Sequence, residues 1–301
     1  LLIDGLTTSE VTMAAAAVKV TDKVNNAEVD TLDGKTTGKV TVDILEDTFA
    51  EVSALDTLND SDVDISGAAI TVTDAVTKDQ ANTINIFTTG KVTINNVLDT
   101  YDNVQLIKDI NTAEVDMDAA VIKVTDSVDK TKVDDLRTDT TGDITLTSIT
   151  EDKGDLNTIN AFTDVSLSTA NITVSDDVSK AEADAIDAYN NFSGVVTLTS
   201  ISDTVANIKA VYTNPNISIA SATINVTDAA SYNDATDINV FTTAQVTLQS
   251  VEDEYANIQL IKDINTAEVD MDAAAIKVTD SVDKTKVDDL RTDTTGNITL
   301  T

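Results

Sequence analysis

No cysteine, no histidine and no tryptophan occur in the 301 residues of this chain. Their absence removes disulfides, thiolate and imidazole metal sites, cysteine and serine–histidine nucleophiles, and any general base poised near neutrality. Most enzyme classes lose their usual machinery, and the expectation is a non-enzymatic protein. A single proline, Pro215, leaves no linker between separate domains. Basic residues are scarce: 19 Lys plus Arg stand against 53 Asp plus Glu, a formal charge of 19 − 53 = −34. Such a polyanion repels DNA, RNA and anionic membrane surfaces, so nucleic acid is excluded as a partner, and divalent cations become the natural counterions. No run of about 18 apolar residues and no secretory h-region is present, so no membrane insertion is expected. Hydrophobic residues still make up 41% of the chain, enough to fold a core.

What is abundant is repetition. The aspartate of a Val-Thr-Asp phrase and its variants recurs at Asp22, Asp74, Asp126, Asp176, Asp228 and Asp280, with spacings of 52, 52, 50, 52 and 52. An interleaved series closes a strand-like phrase at Asp47, Asp99, Glu151, Asp203 and Asp253. Each 52-residue unit is therefore two related half-units. An apolar-x-apolar triplet marks twelve half-units, from Val11/Met13, Val40/Val42, Val63/Ile65 and Val92/Ile94 to Val269/Met271 and Ile298/Leu300. The gaps between successive triplets alternate between about 29 and about 23 residues.

Each triplet, rich in Val and Ile at period two, reads as a short strand with one buried face. Long coils add a second strand phrase such as Ile70-x-Val72 or Ile224-x-Val226, joined by a corner of Ala, Ser or Gly. Helical spacing follows, through Val76, Ala81, Ile84 and Phe87 in one long coil and Val104, Ile107 and Ile110 in one short coil. Thr-Thr-Gly or Asn-Thr-Ala then ends the helix, and Gly90 and Gly142 suit a left-handed C-cap. Strand, corner, helix and turn make one revolution that cannot bury its own apolar face. The predicted fold is an α/β repeat, a right-handed β/α solenoid with a parallel sheet and about twelve coils of alternating 23 and 29 residues. It spans 1–301 as one continuous domain. Residues 101–147 and 255–301 match at 43 of 47 positions, and the pattern runs from Leu1 to Thr301, so the stretch reads as a slice of a longer array.

The strand-closing acids are the candidate site. Stacking should set Asp22, Asp47, Asp74, Asp99, Asp126, Asp176, Asp203, Asp228, Asp253 and Asp280 in a column along one edge. Carboxylates so arranged repel unless amides cap them or cations bridge them, and calcium is the hard ion that suits them. The competing expectation is plain capping, in which an aspartate such as Asp74 or Asp126 accepts from first-turn amides of the helix that follows it. No D-x-D-x-D-G loop occurs. Outward triplet positions are mostly Thr or Ser, but Asp64, Asp116 and Asp270 interrupt them, which favours a solvated face over an ice-binding lattice. Acid pairs such as Asp134/Asp135 and Asp176/Asp177 recur with the repeat and read as solvated helix faces. Most of the sequons at Asn171, Asn191, Asn216, Asn225 and Asn297 fall beside strands and read as chance products of an Asn/Thr-rich composition.

Three phrases, Ile201-Ser-Asp203-Thr-Val-Ala206-Asn207-Ile208, Ile172-Thr-Val-Ser-Asp176 and Ala181-Glu-Ala-Asp184-Ala-Ile186, resemble the tandem repeats of giant secreted bacterial surface proteins. These are adhesins and hemolysin-type calcium-binding-like repeat proteins of marine cyanobacteria and alphaproteobacteria. The resemblance implies export to the cell surface or the extracellular space and a structural or adhesive role. Calcium in such proteins sits in G-G-x-G-x-D nonapeptides; this chain has nine Gly and no such motif. The expected function is a non-enzymatic structural segment of a filament, adhesin stalk or surface-layer fibre that self-associates end to end or side by side. The alternative is a calcium-stabilised module that binds a glycan or a protein.

Overall fold

A computed structural model describes residues 13–58, 62–110, 114–190, 193–264 and 268–301. Val11, Thr12, Asn191 and the Asn-Thr-Ala phrases at 111–113 and 265–267 lie outside the described residues. Among the described residues seventeen strands alternate with eleven helices, and every strand pairing is parallel. The fold is an open α/β repeat solenoid. It divides into two units, one made of residues up to Ser127 with Thr131–Leu146 and Asp164–Ser166, the other of Val128–Lys130, Thr147–Thr163 and Leu167–Thr301.

The chain enters the first unit through β1 (Val18–Val24), α1 (Asn26–Asp33), β2 (Val40–Asp47), α2 (Phe49–Leu58), β3 (Val63–Asp64), β4 (Ala69–Val76) and α3 (Lys78–Phe87). The chain continues through β5 (Val92–Asp99), α4 (Tyr101–Lys108), β6 (Val115–Asp116), β7 (Val121–Val128), α5 (Lys130–Asp139), β8 (Ile144–Glu151), α6 (Lys153–Asn160) and β9 (Val165–Ser166), of which α6 and the part of β8 after Leu146 belong to the second unit. The second unit contains β10 (Asn171–Val178), α7 (Lys180–Asp187), β11 (Val196–Asp203), α8 (Val205–Tyr212), β12 (Ile217–Ser218), β13 (Thr223–Ala230) and α9 (Tyr232–Asn239). It ends with β14 (Val246–Asp253), α10 (Tyr255–Asp263), β15 (Val269–Asp270), β16 (Ala275–Val278), α11 (Lys284–Asp293) and β17 (Ile298–Leu300).

Register follows from apolar spacing. In β2, β5, β11 and β14 the buried residues sit at i, i+2 and i+5, as in Val92, Ile94 and Val97. In β4, β7, β10 and β13 they sit at i, i+2 and i+6, as in Ile70, Val72 and Val76. When β4 pairs with β5, Ile70 meets Val92, Val72 meets Ile94 and Val76 meets Val97, so one extra residue on β4 must bulge. The irregularity lies between Val72 and Ala75, on Thr73 and Asp74. The same bulge recurs between Val20 and Lys23, Val174 and Asp177, and Val226 and Ala229.

The sheet departs from simple stacking of the triplets. Val40 of β2 does pair with Val63 of β3, yet Val92 of β5 sits on Ile70 of β4 and not on Val63. The corner between β3 and β4 steps the chain sideways, so the second strand phrase carries the next triplet. Val76, expected in the helix, closes β4 instead.

Helices contribute a narrow stripe. Most bury two apolar residues three apart, such as Val29 and Leu32, Ala81 and Ile84, or Ile208 and Val211. Eight to ten residues are marginal as an isolated helix, so these depend on neighbouring coils for stability. No helix among the described residues is long and apolar enough to cross a membrane.

Candidate functional site: carboxylate caps between coils

Every helix begins with amides that its own ladder cannot satisfy. Ser, Thr, Asn or Asp at the N-cap takes the third-position amide in most cases. Thr77 and Ser179 accept from Gln80 and Glu182, and both close capping boxes. The first-residue amide points away from that cap. In α1 to α10 it donates to a carboxylate that lies 21 to 25 residues further along the chain, on the next coil.

In the bulge series the donors are Phe49 to Asp74 at 2.7 Å, Tyr101 to Asp126 at 2.8 Å, Lys153 to Asp176 at 2.9 Å, Val205 to Asp228 at 2.8 Å and Tyr255 to Asp280 at 2.7 Å. At Asp74, Asp176 and Asp228 a strand bulge aims the carboxylate, whereas Asp280 reaches its amide from beyond the end of β16. An extra residue in the strand rotates Asp74 toward the α2 N-terminus while Val72 and Val76 stay in the core. In the other series Asn26 donates to Asp47 at 2.9 Å, Lys78 to Asp99 at 2.8 Å, Lys180 to Asp203 at 2.8 Å and Tyr232 to Asp253 at 3.0 Å. Glu151 takes the amide of Lys130 at 2.6 Å in the same role.

This second series binds in two directions. The other oxygen of Asp99 accepts from its neighbour Thr100 and from Asn103 Nδ2, both at 2.8 Å. Asp203 with Thr204 and Asn207, and Asp253 with Glu254 and Asn257, repeat the arrangement. Each carboxylate thus joins the start of its own helix to the start of the preceding one. Burial acts to raise the pKa of Asp99, but hydrogen bonds from Asn103 and from the Lys78 and Thr100 amides outweigh it and hold the group below the usual aspartate value. Asp203 and Asp253 are lowered for the same reasons. Two aligned helix N-termini also favour the charged form.

Nine of the ten predicted aspartates therefore occupy one kind of position, and Asp22 lies exposed in the β1 bulge. The capping expectation placed each on the helix that follows it; the hydrogen bonds of the bulge series run to the helix before. Glu151, whose spacing puts it in the interleaved series, is a full participant. Glu151, Asp152 and Asp155 also bring carboxylate oxygens within 4.8 Å of one another. Within that group Glu151 accepts from the Asp152 amide at 3.2 Å and Asp152 from the Asp155 amide at 2.9 Å.

A second clamp closes the other end of five long coils. Buried Thr88 donates its hydroxyl to Ala68 O at 2.6 Å and accepts from Gly90 N at 2.8 Å, while Thr89 donates through its amide and hydroxyl to Ser66 O. Thr36, Thr140, Thr242 and Thr294 make the same 2.6 Å bond to Ala16, Ala120, Ala222 and Ala274. The glycine here does not form the expected left-handed cap. The α3 C-cap is Thr88 in extended backbone, and Gly90 is small because an added Cβ would stand 2.2 Å from Ala68 O.

Comparisons of the chain with protein-family models, with curated proteins and with solved structures found no match in any of the three.

Proposed function

We propose that this chain is a non-enzymatic structural repeat segment, a piece of an extracellular or cell-surface filament, adhesin stalk or surface-layer fibre that associates with further copies of itself. The observation that carries this reading is the use of its polar groups. The recurring acids and threonines, the groups most able to act on a ligand, are engaged with the preceding coil's backbone. They recur with the repeat and do not converge on one cleft. Electron microscopy of the purified protein across a concentration series tests the assembly: extended or laterally paired particles are expected, and dispersed monomers at every concentration would contradict it.

A second reading, a calcium-stabilised binding module for glycan or protein, is favoured by the Glu151, Asp152 and Asp155 group alone. A saturable melting shift in millimolar calcium, lost in Glu151→Gln, would establish it over the first.

A further inference from the structure

The α4–α5 seam and the α10–α11 seam carry the same contacts. Tyr101 OH donates to Asp135 at 2.6 Å, and Tyr255 OH to Asp289 at 2.6 Å. Gln105 Nε2 donates to Asp139 at 2.6 Å, and Gln259 Nε2 to Asp293 at 2.8 Å. Lys108 pairs with Asp139 and Lys262 with Asp293, both aspartate side chains being within 1% of fully buried. Lys132 and Lys286 each stand 5.0 Å over the ring of the respective tyrosine. The four positions that differ between 101–147 and 255–301 leave all of these residues untouched.

The α8–α9 seam is built otherwise. Aligned on the helix starts, Tyr212 takes the place of Lys108; aligned on Thr-Thr, Phe241 takes the place of Asp139. Their rings stack at 3.9 Å with an 11° interplanar angle. An ion pair and a ring stack do not substitute for one another across a seam. A lysine facing Phe241 loses its partner, and Asp139 facing a tyrosine ring stays buried without its cation.

We propose that the α4 seam of one chain accepts the α11 coil of a second copy, while the second copy's α10 seam accepts the first chain's α5 coil. This reciprocal exchange, offset by 154 residues, re-forms the Tyr–Asp, Gln–Asp and Lys–Asp pairs of each seam between two chains. The partner is a second copy of this chain, and the specificity lies in matched seam residues. The inference deepens the self-association in the proposed function by naming the surface, and it can fail while other modes of assembly survive.

The full-length chain is unfolded in denaturant, refolded at low and at high concentration, and sized by light scattering after gel filtration. A dimer that grows with refolding concentration is expected. The double variant Lys262→Tyr with Asp293→Phe gives the α10 seam the α8–α9 chemistry and should lower that dimer about tenfold, since one buried carboxylate per exchange loses its cation. Adding Lys108→Tyr and Asp139→Phe rematches the seams and should restore it. If the first variant does not fold, the charge reversal Lys262→Asp with Asp293→Lys serves in its place. No dimer at any concentration, or a dimer indifferent to mismatch, would overturn the proposal. Filaments that persist with the mismatched variant would overturn it and leave the broader assembly reading standing.

Discussion

At the residue scale the account rests on carboxylates that answer helix amides on another coil. Replacing Asp203 with alanine strips the acceptor from three donors, Lys180 N, Thr204 N and Asn207 Nδ2. The expected loss is about 1–3 kcal/mol in chemical denaturation, since partly buried donors are left without partners. Glu182 allows a sharper test through pH. Its folded pKa is drawn down to about 2, first by the Ser179 amide and then by Lys153 and the Ser179 hydroxyl. A depressed folded pKa adds stability that is complete above the ordinary value of 4.5 and disappears as pH falls toward 2. The stability difference between wild type and Glu182→Gln should be constant from pH 7 to about 5 and shrink below that, as measured by urea titration at each pH.

At the element scale the strands, helices and repeat length were legible because hydrophobic period is a local property. Val92, Ile94, Ala81 and Ile84 announce their elements within a few residues. The bulge was also written in the spacing, six residues from Ile70 to Val76 against five from Val92 to Val97. It becomes visible only when two strands are laid side by side. The partner of Asp74 was not legible at all, because an amide 25 residues earlier becomes a neighbour only after the corner at 65–68 has shifted the chain. The Thr-Thr-Gly phrase announces a helix stop locally, and its clamp on the previous corner is hidden for the same reason. Thr88→Val keeps the shape of the side chain and removes both hydroxyl bonds. It should cost about 1–3 kcal/mol, read as a lower denaturation midpoint, while the same change at half-buried Thr83, whose hydroxyl bonds only Asp79 O of its own helix, should stay within about 0.5 kcal/mol.

At the scale of the whole molecule, a charge of −34 opposes compaction everywhere except where carboxylates meet amides or lysines. Screening should therefore stabilise the fold. Raising sodium chloride from about 0.05 M to about 0.5 M shortens the Debye length from roughly 14 Å to roughly 4 Å and should raise the melting temperature by several degrees. Calcium chloride at matched ionic strength should add nothing further if amides alone satisfy the caps. A saturable extra rise would favour the calcium reading.

Amide hydrogen exchange tests the central claim, that each coil caps the helix of the coil before it, most directly. In wild type under chelating conditions the Lys180 and Lys78 amides should be protected despite their place at the first turn. In Asp203→Ala protection should fall at Lys180 and persist at Lys78, and in Asp99→Ala the pattern should reverse. Unprotected first-turn amides in wild type, or a loss confined to the helix that follows the mutated acid, would contradict the account.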